Sequence, residues 1–195
     1  MKRLSLYLFL IFFTLQTPSW ADDIRDFQIE GVSIGDSALN YFSEELIEKN
    51  KRNYIKNKEF TPVEIDYLKR YEVYDSVSFN YKTGDKNFKI YSLSGAIDYP
   101  NNINNCYEKM DEIVVDLSSN LKKFSKSKKR SGLQTVAKLN DTKKTAVYFH
   151  NVLNGDYVEV ACYDYYEESG FMDHLAISII PKVIGDFLNI AYIDP

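Results

Sequence analysis

Histidine and cysteine each occur twice in 195 residues and tryptophan once, and that scarcity closes most routes to chemistry. Two histidines that stand far apart, with no cysteine near either, do not make a zinc site. No His-Glu-x-x-His, no phosphate-binding glycine loop and no Cys-x-x-Cys is present, which leaves no affirmative reason to propose an enzyme without excluding one. Arginine is rare beside lysine, and the net charge is −4. An acidic chain with few arginines is a poor candidate for binding nucleic acid.

Long apolar runs are also missing, apart from one at the start. Met-Lys-Arg precedes an almost wholly apolar stretch from Leu4 to Leu15, followed by Gln-Thr-Pro-Ser-Trp-Ala. A basic start, a short apolar run and a small-x-small ending are the parts of a secretory signal peptide. The run falls short of the ~20 apolar residues of a transmembrane helix, although a retained anchor is the alternative. Ser19 and Ala21 suit the cleavage subsites, so residues 1–21 read as the signal and Asp22 as the mature start. No cysteine follows the run, so no lipoprotein anchor is expected, and no later segment is apolar enough to span a bilayer. Removing 21 residues leaves 174, a single domain over 22–195. Lys2 and Arg3 are the only charges lost, so −4 becomes −6.

The most informative stretch runs from Thr145 to Ile180 and reads as three alternating strands. Asn154-Gly155 is a strong hairpin turn signal between the first two. A two-residue turn there pairs Val147 with Cys162, Phe149 with Val160 and Asn151 with Val158. On the other face it pairs Tyr148 with Ala161, His150 with Glu159 and Val152 with Tyr157. Ahead of it, Ile103, Cys106, Met110, Ile113, Val114, Leu117, Leu121 and Phe124 form one apolar stripe, which predicts a helix over 103–124. Cys106 lies on that stripe and Cys162 on the apolar sheet face, so two independent periodicities point the cysteines at each other. In an exported chain they read as one disulfide; buried free thiols are the alternative.

The remaining elements are shorter. Phe27 and Ile29 alternate with polar residues, as in an edge strand. Asp36 or Ser37 caps a helix bearing Leu39, Phe42 and Leu46, with a possible restart at Ser43. Thr61-Pro62-Val63-Glu64 has the form of a capping box and predicts a short helix ending near Arg70. Residues 71–99 read as a hairpin about Gly84-Asp85, setting Tyr81 against Phe88 and Phe79 against Ile90. A bulge near Tyr91-Ser92 then restores the alternation, with Val77 against Leu93, Val73 against Ile97 and Tyr71 against Tyr99. Pro181 to Ile193 reads as a terminal helix. The fold class is α+β: an antiparallel sheet of about five strands, the long helix on one face, and N-terminal helices.

Three features are candidates for function. Asp164, Glu167, Glu168, Asp173 and His174 gather carboxylates and an imidazole in one loop, which could hold calcium or a similar hard cation or else be solvated surface. Tyr148, Tyr157 and Tyr163 share the sheet face turned away from Cys162, either as a binding platform or as packing beneath the N-terminal helix. Six basic residues between Lys122 and Arg130 read as a solvated helix end running into a mobile loop, or as a site for an anionic polymer or lipid headgroups. Asn140-Asp141-Thr142 is a glycosylation sequon.

The stretches Phe27-x-Ile-x-Gly-x-Ser-Ile-Gly-Asp-Ser, Tyr91-Ser-Leu-Ser-Gly-Ala-Ile-Asp-Tyr with Asn105-Cys106-Tyr, and Val160-Ala-Cys-Tyr-Asp-Tyr with Asp173-His-Leu-x-Ile-Ser-Ile resemble uncharacterised small exported proteins of marine, AT-rich alphaproteobacteria. The resemblance implies export and one architecture, and no activity. Gly31-x-Ser-Ile-Gly-Asp-Ser with Leu39 and Phe42 also resembles the helix entry of BamE-type and β-lactamase-inhibitor-type domains, which bind other proteins; the missing lipobox departs from BamE. The expected function is a periplasmic or secreted binding or adaptor module for a protein or envelope component. A metal-dependent binder or enzyme built on the Asp164–His174 loop is the alternative. Mass spectrometry of protein secreted by its native host should find an N-terminus at Asp22 or within two residues of it; a full-length, membrane-retained product would contradict the signal reading.

Overall fold

Two antiparallel meanders share one sheet. The computed structural model describes residues 23–53, 57–100, 102–133 and 142–193. The signal peptide with its cleavage site, and Asn140 and Asp141 of the sequon, lie outside the described residues. A small hairpin, β1 (Gln28–Ile29) and β2 (Val32–Ser33), leads through the short helix α1 (Glu44–Lys49) into the first meander of β3 (Phe60–Asp66), β4 (Ser76–Lys82) and β5 (Ile90–Asp98). The long helix α2 (Ile103–Asn120) crosses the sheet to β6 (Phe124–Lys126) and β7 (Arg130–Leu133). The second meander, β8 (Lys143–Asn151), β9 (Tyr157–Asp164) and β10 (His174–Ile180), then runs into α3 (Lys182–Ile193). The order is β3-β4-β5-β10-β9-β8-β6, with β7 also on β8. The fold is α+β as expected, but the main sheet has eight strands, not five.

Three of the additional strands come from segments with misleading local signals. Thr61-Pro62-Val63-Glu64 is not a helix start but the middle of β3. Val63 and Ile65 are buried in the core, while Phe60 and Pro62 are buried on the opposite face. Proline is tolerated because β3 is an edge strand and the backbone of this parity points outward. Pro62 O accepts from Arg52 N at 2.9 Å and Glu64 N donates to Asn50 O at 3.2 Å, so the missing N–H costs no bond to β4. The basic segment after α2 is likewise not a loop. Phe124 pairs with Asn151 and Arg130 with Ala146, so β6 and β7 share the outer edge of β8. Only Leu121 and Phe124 of the expected last helical turn are buried, and both lie past the helix end at Asn120.

Both hairpin registers differ from expectation by two residues. Phe79 faces Leu93 and Tyr81 faces Ile90, with the irregularity at Tyr91 where an extra residue was expected. Residues 71–75 do not pair as a strand; the Glu30 carboxylate holds them by accepting from the N–H groups of Glu72, Val73 and Tyr74 at 2.9, 2.8 and 2.9 Å. In the second hairpin Val147 faces Val160, Thr145 faces Cys162, and His150 faces Tyr157 in place of Glu159. The turn is longer than Asn154-Gly155: Asn151 N donates to Asp156 O at 2.8 Å and Gly155 N to Asn151 O at 2.9 Å, closing a loop over 152–155. A shift of two keeps every side chain on its face, whereas a shift of one would invert them all.

The main core therefore forms where the stripe predicted it. Cys106, Met110 and Val114 of α2 are buried against Val158, Val160, Cys162, Leu175 and Ile179. Cys106 and Cys162 stand at disulfide distance, with Cα atoms 6.0 Å apart and a sequence separation of 56. The same face is covered further along by the N-terminal segment. Ser37 caps a 3-10 turn over Ala38–Asn40, and Ser43 caps α1 by accepting from Leu46 N at 3.2 Å, the restart that Ser43 suggested. Phe42 stacks on Phe79 at 5.8 Å. Gly95 allows this cover to close: a Cβ there would lie 2.4 Å from the Tyr74 ring and 2.8 Å from Ile29 Cγ2.

Replacing both cysteines by serine should lower the unfolding free energy by about 2–5 kcal/mol, read from denaturant midpoints, because the unfolded chain regains a long loop. Non-reducing peptide mapping of the native protein should recover Cys106 and Cys162 in one linked peptide; two free thiols would contradict this packing.

Candidate functional site

The sheet face opposite α2 is built from alternate residues of three neighbouring strands. β8 contributes Lys144, Ala146, Tyr148 and His150; β9 contributes Tyr157, Glu159, Ala161 and Tyr163; β10 contributes His174, Ala176, Ser178 and Ile180. The three expected tyrosines do share this face. Their cover is not the N-terminal helix, whose Phe42 lies in the main core. Instead α3 packs over one end, where Ile184 and Phe187 join Phe60 and Ile180 in a second cluster against Tyr91 and Tyr157. Gly185 permits the approach, since a Cβ there would stand 2.9 Å from the Tyr157 ring.

At the centre of the face lies an ion pair that the sequence pattern did not single out. Lys144 Nζ donates to Glu159 Oε2 at 2.8 Å, with side chains only 19% and 7% exposed. The Tyr163 hydroxyl donates to Glu159 Oε1 at 3.4 Å. The Lys144 ammonium lies 5.3 Å from the centroid of Tyr163 and 5.9 Å from that of Tyr148, within cation–π range. Burial alone would pull the Lys144 pKa down, yet the Glu159 carboxylate and Tyr148 outweigh it and raise the pKa. Burial and the same carboxylate push Tyr148 and Tyr157 up to about 12, so both phenols remain protonated across the physiological range.

Aromatic rings surround the pair. Tyr148, His150 and Tyr157 have centroids 5.6 to 6.0 Å apart. On the other side Tyr163 stacks on His174 at 4.8 Å, and Tyr165 adds contacts to His174 at 5.7 Å and to Phe171 at 5.3 Å. Tyr148 and Tyr163 are half-buried and His150 is exposed. Lys144 was missed because the strand was taken to begin at Thr145; the alternation Lys144, Ala146, Tyr148, His150 carries the signal that places it.

Among the described residues the acidic loop does not converge. Asp164 lies on the α2 side of the sheet, where the Tyr107 hydroxyl donates to it at 3.4 Å. Asp173 Oδ1 accepts from Tyr165 N at 2.8 Å, and Glu168 is exposed. The Glu167 side chain lies outside the described residues. His174 Nδ1 stands 3.1 Å from Met172 O, with its ring inside the aromatic stack. Among the described residues no group of three or more histidine, cysteine or carboxylate side chains is placed to hold a metal ion.

Gly31-Val32-Ser33-Ile34-Gly35 fits the Gly-x-Ser-x-Gly spacing of serine hydrolases, but the surroundings do not. Ser33 ends a two-strand hairpin, and its N–H is bonded to Asp36 Oδ2 at 3.2 Å. The hairpin packs over Gly95 on the α2 side, while both histidines lie on the other face. The spacing is turn chemistry; Gly31 and Gly35 have φ of 76° and 96°.

No protein-family model, curated protein or solved structure matches the chain. Among the described residues no helix is long and apolar enough to cross a membrane.

Glu159→Gln would strand a buried ammonium and should destabilise the protein by about 3–5 kcal/mol, whereas replacing Lys144 by Met together with Glu159 by Leu should restore most of that loss. Thermal melts of the single and double variants check this. Acid acts through a different residue. Burial holds the His174 pKa below its ordinary value, against the opposing effects of the Met172 carbonyl and of Asp98, Glu64 and Asp173. Its contribution to stability is intact above the unfolded pKa of about 6.5 and declines as pH falls below it. The melting temperature should therefore drop less between pH 7 and pH 5 in His174→Phe than in the parent.

Proposed function

We propose that this protein is an exported, non-catalytic binding module that engages a protein or envelope component through the aromatic face of its sheet. The observation that carries this reading is the ring of half-buried tyrosines around the Lys144–Glu159 pair. A buried ion pair contributes little net stability, because desolvation offsets most of its attraction. Rigid rings around a fixed charge pair are instead suited to contact, since tyrosine offers apolar area and a hydroxyl at small entropic cost. Two cysteines at disulfide distance fit an oxidising compartment, and with the signal-like start they support secretion or residence in the periplasm, with cleavage before Asp22. The resemblance to small exported proteins agrees with that location. The alternative cation-dependent reading gains no support from Asp164 and Asp173, which bond to different partners, the Tyr107 hydroxyl and the Tyr165 N–H.

Hydrogen exchange on the mature protein, with and without a solubilised envelope fraction from the source organism, tests the reading. Added envelope material should protect amides in 143–150 and 157–163, and the combined Tyr148→Ala and Tyr157→Ala changes should abolish that protection. Protection confined to 164–174 and dependent on calcium would replace this reading with the loop site.

A further inference from the structure

The turn between β8 and β9 carries its apolar side chains outward. Val152 and Leu153 are 71% and 86% exposed, although their neighbour Asn151 is buried. Val183, at the start of α3, is 51% exposed and belongs to the same end of the sheet. Lys182 N donates to Asp156 Oδ1 at 2.8 Å, and the Lys182 side chain lies against Gly155. Lys122 and Lys123 reach this end too, because the residue that follows them, Phe124, pairs with Asn151. We infer that this end of the molecule docks on an anionic lipid bilayer. Val152, Leu153 and Val183 enter the interface, and Lys122, Lys123 and Lys126 meet the headgroup phosphates. The surface lies beyond the aromatic sheet face, and the inference does not rest on the reading above.

Charge separation along the chain gives the first argument. The protein is acidic as a whole, yet no acid occurs between Asp116 and Asp141, and six basic residues stand from Lys122 to Arg130. Pairing of β6 and β7 lays them along the outer edge of β8. Lys122, Lys123 and Lys126 are exposed and come at the tip end of that edge, within about one Debye length of it. The acids that neighbour the tip in sequence are engaged. Asp156 accepts from Lys182 N and from Asn154 Nδ2, and Asp186 bridges to Lys182.

The backbone of the turn gives the second. A chain segment enters an apolar boundary at low cost only where its polar groups are bonded within the protein. Leu153 N donates to Asn151 Oδ1 at 3.0 Å, Gly155 N to Asn151 O at 2.9 Å and Asp156 N to Asn154 Oδ1 at 3.0 Å. The loop thus holds its shape from within, and little ordering cost falls on docking. The opposite end of the sheet supplies a contrast. Tyr166, Phe171 and Met172 are exposed there, but Glu168 and Asp173 share their loop and Asp98 stands opposite His174. Anionic headgroups are repelled by that end and drawn to the lysines of the tip. Three aliphatic side chains with a few lysines give reversible attachment at the surface, not a permanent anchor.

The chain from Asp22 contains no tryptophan, since Trp20 precedes it, so Leu153→Trp places a single reporter at the tip and Phe171→Trp one at the opposite end. The probes are vesicles of phosphatidylcholine alone and of equal parts phosphatidylcholine and phosphatidylglycerol. On the anionic vesicles the Leu153→Trp emission should shift to the blue and be quenched by brominated lipid, while Phe171→Trp shows neither. In sedimentation the unsubstituted chain should bind neutral vesicles roughly tenfold more weakly than anionic ones. The paired changes Val152→Ser with Leu153→Ser, and Lys122→Gln with Lys123→Gln, should each weaken anionic binding roughly tenfold, with melting temperature showing that both variants fold. Absence of binding to anionic vesicles, or equal binding to neutral ones, overturns the inference. So does a shift at Phe171→Trp with none at Leu153→Trp, or binding without quenching at the tip. Displacement of the bound chain by inorganic phosphate would replace the bilayer with a soluble anion. Protection of 143–150 and 157–163 by envelope material is read separately, so either result can fail while the other stands.

Discussion

The antiparallel seam between β5 and β10 holds the molecule together. It pairs Asp98 through Leu93 with His174 through Ile179, strands more than 70 residues apart in sequence, and so joins the two meanders into one sheet. Without the seam each meander would expose an edge, and α2 would have no continuous floor on which to bury Cys106, Met110 and Val114. The chain can form it because α2 carries the connection across one face, so the second meander enters beside the first rather than beyond it. The Cys106–Cys162 pair, at disulfide distance, ties that crossing to β9, one strand from the seam. Core packing, helix placement and the existence of a second, less covered face all follow from it.

That second face has the opposite character. The α2 side is filled by aliphatic and aromatic side chains in ordinary core contacts. The other side is floored by Ala146, Ala161, Ala176 and Ser178, all buried, with tyrosines standing above small residues and a charged pair set among them. Among the described residues one end alone is sealed, by Ile184 and Phe187 of α3. A sheet stabilised for its own sake would cover both faces alike; here an ion pair of little net worth and an exposed imidazole occupy positions where leucine or valine would pack better. Function is therefore sought on this side.

Much of the architecture was legible locally. The stripe from Ile103 to Leu121, the alternation of β8, β9 and β10, and the terminal helix over Ile184 and Phe187 each depend on contacts repeated along one element, and periodicity records such repetition directly. Even the bulge at Tyr91 could be located, because the apolar phase changes there. The Thr61-Pro62-Val63-Glu64 segment failed for the opposite reason. Its capping pattern is a local preference worth about a kilocalorie, and the burial of Val63 and Ile65 against a strand outweighs it.

What the sequence by itself determined was which side each side chain of β4, β5, β8, β9 and β10 faces, and so that Cys106 and Cys162 would meet, because parity survives any shift of two residues. What only the tertiary structure decided was which residues stand opposite one another. The loop closed by Asn151 moved the second hairpin by two, setting Tyr148 rather than His150 against Glu159 and leaving the carboxylate to Lys144. The placement of Arg130 beside that group was equally beyond local reach, since β7 has no burial pattern of its own and exists only because β8 offers an unpaired edge. Periodicity reports faces, which each strand settles alone; partners depend on loop length and on distant segments, which no single stretch of chain contains.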